Sequence, residues 1–496
     1  MVQIGWSRRE ISLDEPLSLR GQAFLRISEA IHDPMYATVL CITGADGKDS
    51  AIFCSLDMLA LRRDLLNMIR EEVTRKRPQI PVDHILFNAT HTHSGGFIEE
   101  TAPTSPDGKT IYSGIQYRDF VVRQCADAIL EAWSARKTGG IGYGYGYAVV
   151  AHQRRAVYFS DQSQRFPSAI APNGYGIMYG NTDDEQFSHF ENGADHFLNL
   201  MFTFDPQEKL TGIVVNVPCP AQVGGQMTQQ SADYWHEVRQ EVRKVYGDDV
   251  YVLTQCAPAG DLSPRVLHYR EAQERRMGLK YGLHYTPRKI TEYNRVMAER
   301  FDIALRITAA INEVYSWARE DIQWDFAVRC ICNKLMLKRR LITDAEAQQC
   351  AETIDRMCAQ IPEQNNCTEE AYRKAFSRYQ IVKNRNNRVL QRYEQQQKEA
   401  EIEATVYVIQ LGDIAFASNQ FELFQSYMHR VQARSPFVQT FMVQLAGDGM
   451  ASYLPTAEAV DNCGYSASVF CNQVGPEGGQ QLVEATLQVL NELFEM

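Results

Sequence analysis

Cysteine is scarce in this chain, and its spacing is irregular. The 496 residues include twelve cysteines, and no two of them form a Cys-x-x-Cys pair. A disulfide scaffold, which needs a far higher cysteine density in a much shorter chain, is therefore excluded. We expect most of these cysteines to be reduced and buried, and the protein to be cytoplasmic.

Long apolar runs and an excess of positive charge are also missing. Residues 1–16 mix charged and isolated apolar side chains, unlike the h-region of a secretory signal. No apolar run approaches the roughly 20 residues that cross a bilayer. The formal net charge is −11, whereas nucleic-acid binding needs a basic surface. The sequence therefore predicts no export signal, no transmembrane segment and no nucleic-acid partner.

Several common catalytic motifs are absent as well. The sequence has no Gly-x-x-x-x-Gly-Lys-Ser/Thr phosphate loop, no His-Glu-x-x-His and no Gly-x-Ser-x-Gly. The Gly-Tyr alternation at 140–147 lacks the third glycine and the helix start of a dinucleotide-binding fingerprint. It indicates a strand or bulge that packs closely against other backbone.

The periodicity of the remaining sequence is typical of an α/β fold. Continuous apolar segments, as in strands covered on both faces, alternate with helical periodicity through the first half. Glycine is absent from 291–399, where the periodicity becomes helical, and strand-like sequence returns near 405. We predict a layered mixed β-sheet core with flanking helices and an α-helical insertion. The core domain comprises 1–265 and 404–496, and the mainly helical insertion comprises 266–403.

The segment Asn-Ala-Thr-His-Thr-His-Ser-Gly-Gly at 88–96 follows an apolar strand and carries His91 and His93. Two histidines at i and i+2 on extended backbone point to the same face. At the carboxyl edge of a sheet, such a pair can present two imidazoles to one metal ion or substrate. A turn with polar side chains is the alternative interpretation.

This segment resembles the Thr-His-Thr-His-Ser-Gly motif of the neutral, non-lysosomal ceramidase family. Further segments match that family in the same order: Ile-His-Asp-Pro-Met-Tyr-Ala at 31–37, Ser-Leu-Asp at 55–57, Ser-Ala-Asp at 231–233, Gly-Asp-Leu-Ser-Pro at 260–264, Phe-Glu at 421–422, Tyr-Leu-Pro-Thr at 453–456 and Gly-Tyr at 464–465. The resemblance covers most of the chain, and 265–404 matches poorly.

The resemblance implies a single zinc ion held by two histidines, a glutamate and a tyrosine. By motif, His91, Glu422 and Tyr453 are three of these ligands, and His93 faces the attacking water or the substrate. Glu422 as a helix N-terminal acid and Tyr453 as a core tyrosine remain alternatives. The family's other histidine ligand is replaced by Cys219, which could bind zinc as a thiolate or could be a buried packing residue.

The resemblance also assigns three further catalytic positions. Arg154 falls where the family has an active-site arginine, which could hydrogen-bond a substrate hydroxyl or carbonyl; a solvated surface arginine is the alternative. Asp261 could orient a ligand or the substrate through hydrogen bonds, or could cap a turn. Tyr465 falls where the family has a further tyrosine.

These features predict a zinc-dependent hydrolase of the neutral ceramidase type, with one Zn2+ per chain and a small-molecule amide as substrate. Zinc lowers the pKa of bound water toward about 7, so a linear N-acyl bond can be hydrolysed near neutrality. Ceramide itself is a doubtful substrate, and a more soluble N-acyl compound is plausible. The alternative is a non-catalytic, small-molecule-binding descendant of the same fold with a degenerate metal site. The helical region 291–399 could build a homo-oligomer interface in either case.

Overall fold

The structure is a computed structural model that describes residues 1–45, 47, 49–98, 105, 111–168, 170–283, 291–365, 367–447 and 452–496. Within these ranges, mixed sheets are covered by helices, which confirms the predicted α/β class. No helix in the described part of the chain is both long enough and apolar enough to span a membrane.

The described strands vary from two to eleven residues in length. They are β1 (Gln3–Glu10), β2 (Ser18–Leu19), β3 (Arg26–Ile27), β4 (Ala30–Ile31), β5 (Tyr36–Thr43), β6 (Ser50–Leu56), β7 (Ile85–Ala89), β8 (Lys137–Thr138), β9 (Gly140–Tyr147), β10 (His152–Gln153), β11 (Arg155–Tyr158), β12 (Gly176–Met178), β13 (Phe187–Phe190), β14 (Phe197–Phe204), β15 (Leu210–Val217), β16 (Gln229–Gln230), β17 (Tyr251–Cys256), β18 (Leu262–Ser263), β19 (Val328–Lys338), β20 (Glu401–Leu411), β21 (Ile414–Ser418), β22 (Glu422–Leu423), β23 (Gln439–Val443) and β24 (Tyr453–Leu454).

The described α-helices flank these sheets. They are α1 (Arg63–Lys76), α2 (Gly114–Ser134), α3 (Tyr234–Tyr246), α4 (Arg270–Tyr281), α5 (Glu292–Ala318), α6 (Asp344–Cys358), α7 (Glu369–Gln395), α8 (Gln425–Gln432), α9 (Ala457–Asn462) and α10 (Pro476–Glu495).

Three larger sheets form the core of the molecule. Their strand orders are β7-β6-β5-β1-β8, β17-β15-β14-β9 and β19-β20-β21-β23. Each sheet combines antiparallel pairs with one parallel pair, and these parallel pairs are β6–β7, β15–β17 and β21–β23. The carboxyl ends of parallel strands are the usual position of ligand sites in sheets of this kind.

The inner faces of the three sheets meet in one apolar cluster that includes Leu40, Val214 and Phe416. Successive side chains of β5 point to opposite faces of the sheet, so Leu40 belongs to the inner cluster and Val39 to the outer one. On the outer faces, α1 and α2 cover the first sheet, α3 and α5 the second, and α8 and α10 the third. Strands covered on both faces explain the continuous apolar segments in the sequence.

The Gly-Tyr segment is strand β9, which lies directly beneath helix α5. A Cβ atom on Gly142 would lie 2.6 Å from the carbonyl oxygen of Ala318, at the end of that helix. A strand closely packed against other backbone, as predicted, therefore explains the alternate glycines.

The range 266–403 contains α4, α5, β19, α6 and α7. Helix α5 packs on β9 and β14, and β19 pairs with β20 along its whole length. Helices α6 and α7 share a small separate cluster that includes Cys350 and Val389. The boundaries at 265 and 404 stay a prediction.

Candidate functional site

Four of the predicted site residues come shortly after strands that belong to the three parallel pairs. His91 comes two residues after β7, Cys219 two residues after β15, Asp261 follows β17, and Glu422 follows β21. The three sheets therefore deliver these side chains from the same kind of position, the carboxyl end of a parallel strand. Short strand pairs then fix the loops, since β10 pairs with β18 and β22 with β24.

His91 is buried and lies in a left-handed backbone conformation, with a φ of +63°. The predicted extended pair is therefore wrong in detail, because the chain turns at His91 and the ring of His93 lies edge-on to it at 5.0 Å. This turn brings Nδ1 of His91 to 2.6 Å from the carbonyl oxygen of Leu59. Its Nε2 lies 3.3 Å from Oε2 of Glu422.

The contact between His91 and Glu422 requires a proton or a metal ion between the two atoms. Nδ1 must donate to the Leu59 carbonyl, so in a neutral ring the bare lone pair of Nε2 faces a carboxylate oxygen. A proton shared by Nε2 and Oε2, or a metal ion, makes the contact favourable. Zn–N and Zn–O bonds of about 2.0 to 2.1 Å at a tetrahedral angle place the two donor atoms roughly 3.3 Å apart. The separation of Nε2 and Oε2 therefore fits a zinc ion as well as a proton.

Tyr453 lies directly beside Glu422, because the two are register partners in the parallel pair β22–β24. The tyrosine hydroxyl donates to the Glu422 carboxylate. Burial alone would raise the pKa of Glu422, but His91, Arg154 and Tyr453 together lower it. Burial and the adjacent carboxylate raise the pKa of Tyr453 well above its usual value.

Arg154 is buried beside this pair and is not a solvated surface residue. Its Nη2 donates to the Gly260 carbonyl at 2.7 Å and to the Tyr453 hydroxyl at 3.2 Å, and lies 4.0 Å from Oε2 of Glu422. Burial alone would lower the pKa of Arg154, but Tyr453, Tyr179 and Glu422 raise it. A permanent cation therefore lies beside the tyrosine and the carboxylate.

His93 has a buried, unpartnered ring nitrogen. Its Nε2 is shielded from solvent and has no hydrogen-bond partner in the described ranges, although other atoms of the residue are partly exposed. Burial and the neighbouring positive groups lower the pKa of His93 well below its usual value, so the ring is neutral. A buried polar atom without a partner costs stability, and a bound water or ligand group is the usual compensation.

Cys219 is fully buried, and its thiol faces the carbonyl oxygens of Val150 and Pro220 at 3.8 and 3.6 Å. Its own carbonyl accepts a hydrogen bond from the Tyr234 hydroxyl. Burial raises the pKa of the Cys219 thiol well above its usual value. Its loop lies against the histidine motif, since the backbone N–H of His93 donates to the carbonyl of Ala221. Its ligand role stays a prediction.

Asp261 holds two site-bearing segments together. Its carboxylate accepts hydrogen bonds from the backbone N–H of Gln425 at 3.0 Å and from the side-chain amides of Gln153 and Gln425 at 3.1 Å each. Gln153 precedes Arg154, and Gln425 follows Glu422 by three residues. The adjacent Gly260 is so close to Glu422 that an added Cβ would lie 2.3 Å from the Glu422 carbonyl oxygen. Asp261 therefore contacts the segments that carry the site, as a positioning residue would.

Tyr465 lines the same cavity as His91, Glu422 and Tyr453, and its ring lies edge-on to Tyr453 at 5.9 Å. The cavity has a volume of about 440 Å³. The structure thus brings together six of the predicted residues, namely His91, His93, Arg154, Glu422, Tyr453 and Tyr465. Asp261 lies behind them.

Sequence reasoning misses two residues at this site. Tyr179 accepts hydrogen bonds from Arg154 at 3.2 Å and from Gln222 at 3.0 Å. Arg385 of α7 donates to the Tyr465 hydroxyl at 2.6 Å. The sequence signal for Arg385 is helical spacing, because arginines at 385, 388 and 392 share one helix face. Tyr179 has no comparable signal.

A third protein donor for a metal ion at this site would have to be a tyrosine. No group of three or more His, Cys, Asp or Glu side chains in the described part of the chain is arranged to hold a metal ion. His91 and Glu422 supply two such donors, and the Tyr453 hydroxyl is the third oxygen or nitrogen donor beside them.

No protein-family model matches the chain, and no curated protein matches its sequence. Solved structures of ceramidases share its fold. The neutral ceramidase from Pseudomonas aeruginosa superposes with a TM-score of 0.68 at 13% identity, covering 100% of this chain and 74% of that chain. A ceramidase complexed with C2 superposes with a TM-score of 0.65 at 13% identity, covering 100% of this chain and 75% of that chain. The chain therefore has a ceramidase-like fold, which confirms the predicted resemblance.

Proposed function

We propose that this chain, with its ceramidase-like fold, is a zinc-dependent hydrolase that cleaves the linear amide bond of an N-acyl compound. The observation that carries the proposal is the contact between His91 Nε2 and Glu422 Oε2 at 3.3 Å, with Nδ1 of His91 tied to a backbone carbonyl. Such a carbonyl fixes the tautomer and ring orientation of a metal-binding histidine. The whole-chain similarity to two ceramidases supports the reaction class.

In this proposal His91, Glu422 and Tyr453 hold the zinc ion. When bound, zinc supplies an activated water near neutral pH and polarises the scissile carbonyl. Cys219 is the proposed fourth protein donor. The described structure does not hold Cys219 together with His91 and Glu422 as a metal-binding group, so binding through its thiol would require the Cys219 loop to move. It would also replace the two long contacts to the carbonyls of Val150 and Pro220 and require deprotonation.

The other site residues have separate proposed roles. His93 is neutral and its buried Nε2 is unpartnered, so it can accept a hydrogen bond or a proton from water or substrate. The Arg154 guanidinium is fixed beside Tyr453 and can donate to an oxygen on which negative charge develops. Asp261 positions the backbone on either side of these groups.

A small-molecule-binding descendant without catalysis is the second candidate, and the orientation of the Cys219 thiol favours it. All twelve cysteines are free, which suits a reducing compartment, so a cytoplasmic location stays part of the proposal. A homo-oligomer remains a prediction.

Hydrolysis of a simple amide tests the proposal. Protein treated with a chelator and then supplied with zinc should release hexanoate from N-hexanoyl amides, and His91→Ala should not. The binding alternative predicts no release at any zinc concentration. Release that continues at full rate in the chelator would overturn the zinc-dependent mechanism.

A further inference from the structure

The cavity that contains His91 and Glu422 is strongly cationic, although the chain as a whole carries a net charge of −11. Five arginines line it: Arg20, Arg62, Arg385, Arg388 and Arg392. Among the described lining residues, Glu422 is the one acidic side chain. Glu422 already contacts His91 and Tyr453, so it is not free to pair with the arginines of α7.

Two of these arginines have structural partners. Arg62 pairs with Asp64 at 3.1 Å. Arg392 donates to the carbonyls of Val469 and Asn472 at 2.7 Å each, which fixes α7 against the chain near Tyr465. Arg62 and Arg392 are therefore compensated by protein groups and do not require an anion in the cavity.

Arg385 and Arg388 lack such compensation. Arg385 donates through Nη2 to the Tyr465 hydroxyl, but its Nη1 is buried without a hydrogen-bond partner, and no carboxylate among the described residues pairs with it. Arg388 lies three residues further along the same helix face, is exposed, and has no hydrogen bond or ion pair to any described residue. A buried guanidinium without a counter-ion is unfavourable, so an anion that enters the cavity would compensate it.

Contacts fix the position of Arg385 relative to the reactive groups, and Arg388 follows it on the same helix face. Arg385 stacks on the Tyr465 ring at 4.9 Å, Tyr465 lies against Tyr453, and Tyr453 bonds to Glu422. Elsewhere the cavity is lined by apolar residues, including Met58, Leu59, Ala60, Leu61, Phe97, Ile98 and Phe470. The cavity thus combines a cationic helix face with an apolar lining. The contacts run from Arg385 through Tyr465 and Tyr453 to Glu422, and His91 connects Glu422 to Leu59 of the apolar lining.

We propose that the substrate of this site is an amide with an apolar acyl group and an anionic group, carboxylate or phosphate, that binds Arg385 and Arg388. The proposal rests on the proposed amide hydrolysis and adds the substrate class. The planar guanidinium fork suits bidentate binding of carboxylate or phosphate oxygens. A neutral lipid would leave the buried Nη1 of Arg385 without a partner.

Binding of three hexanoyl amides tests this proposal by isothermal titration calorimetry. They end in a carboxylate (N-hexanoylglycine), a phosphate (N-hexanoyl-2-aminoethyl phosphate) and a neutral ether (N-hexanoyl-2-methoxyethylamine). We expect at least one anionic probe to bind about 10-fold or more tightly than the ether, because hydrogen bonds between charged groups are roughly twice as strong as those between neutral groups. The tighter of the two anionic probes identifies the anion.

The preference should disappear in Arg388→Gln and in Arg385→Gln and persist in Arg378→Gln. Arg378 is the matched control, since it is exposed on α7 and does not line the cavity. Equal binding of all three probes, or a preference that survives in Arg388→Gln and in folded Arg385→Gln, would overturn the proposal. Turnover is a separate readout: anion preference without hydrolysis refutes only the proposed reaction, and zinc-dependent hydrolysis without anion preference refutes only the substrate class.

Discussion

At the scale of single residues, the chemistry of the cavity depends on the charge between His91 and Glu422. The hydrogen bond to Leu59 removes the freedom of the imidazole to donate toward the carboxylate from a neutral ring. A buried carboxylate and imidazole held in this way favour a cation between them.

His93 differs from His91 in what it contacts, so their substitution by alanine should have different effects. His93→Ala should keep its zinc and lose about 100-fold or more in kcat, because the proposed role of His93 is to accept a proton or hydrogen bond. Metal content by atomic emission and initial rates on N-hexanoylglycine measure both effects. His189→Ala, at an exposed histidine, is the control. Zinc loss as complete as in His91→Ala would make His93 a ligand.

Cys219 is the residue at which this chain departs from the ceramidase motif, and cobalt distinguishes its two interpretations. If Cys219 binds the metal, the cobalt-substituted protein should show a sulfur-to-metal charge-transfer band in the near ultraviolet. The band should vanish in Cys219→Ser and Cys219→His. Bound cobalt without this band in the wild type would make Cys219 a packing residue.

Much of the site is predictable from sequence at this scale, because several of its residues lie in short segments that can be recognised on their own. His91 and His93 lie in one short segment, and Glu422 and Tyr453 lie in recognisable ones. Arg385 comes from a region with poor family resemblance, and its contact with Tyr465 spans 80 residues of sequence. Such a contact depends on the packing of α7 and leaves no local pattern apart from the helical spacing of the arginines.

At the scale of elements, the long strands and helices are predictable and the short ones are not. The continuous apolar segment 197–204 is strand β14, and Thr368 is the N-cap of α7. Thr343 and Glu346 form a capping box at the start of α6, a pattern that the sequence shows directly. Strands β10, β18, β22 and β24 have two residues each, too few for any periodicity, yet they hold Arg154, Glu422 and Tyr453 in place. The short strands that position the site are thus the elements that are hardest to predict from local sequence.

Close packing of α5 on β9 gives a prediction at this scale. Gly142→Ala should lower the free energy of unfolding by about 1–3 kcal/mol, because overfilling a packed interface forces backbone shifts. Urea denaturation measures the change. Gly193→Ala is the matched control, since nothing lies within 4 Å of an added Cβ there. Equal stability of the two variants would contradict the close approach of Gly142 to Ala318.

At the scale of the whole molecule, three sheets contribute strand ends to one site. Each sheet has a single parallel pair, and the residues after these pairs include His91, Cys219 and Glu422. The residues of the site therefore come from both ends of the chain, while α7 contributes Arg385 and Arg388 to the same cavity. Composition and periodicity predict the α/β class, but they do not predict which strand ends meet, because strand order is a long-range property.

Zinc titration of chelator-treated protein by isothermal titration calorimetry tests the central claim most directly. We predict one zinc ion per chain for the wild type. Residues that only orient a metal ligand typically contribute 10–100-fold in affinity, so Glu422→Gln, which removes a donor, should bind zinc about 100-fold or more weakly. Glu422→Gln keeps the size of the side chain and removes its charge, which limits changes in packing. A wild type that binds no zinc, or a Glu422→Gln variant that binds it equally well, would contradict the account.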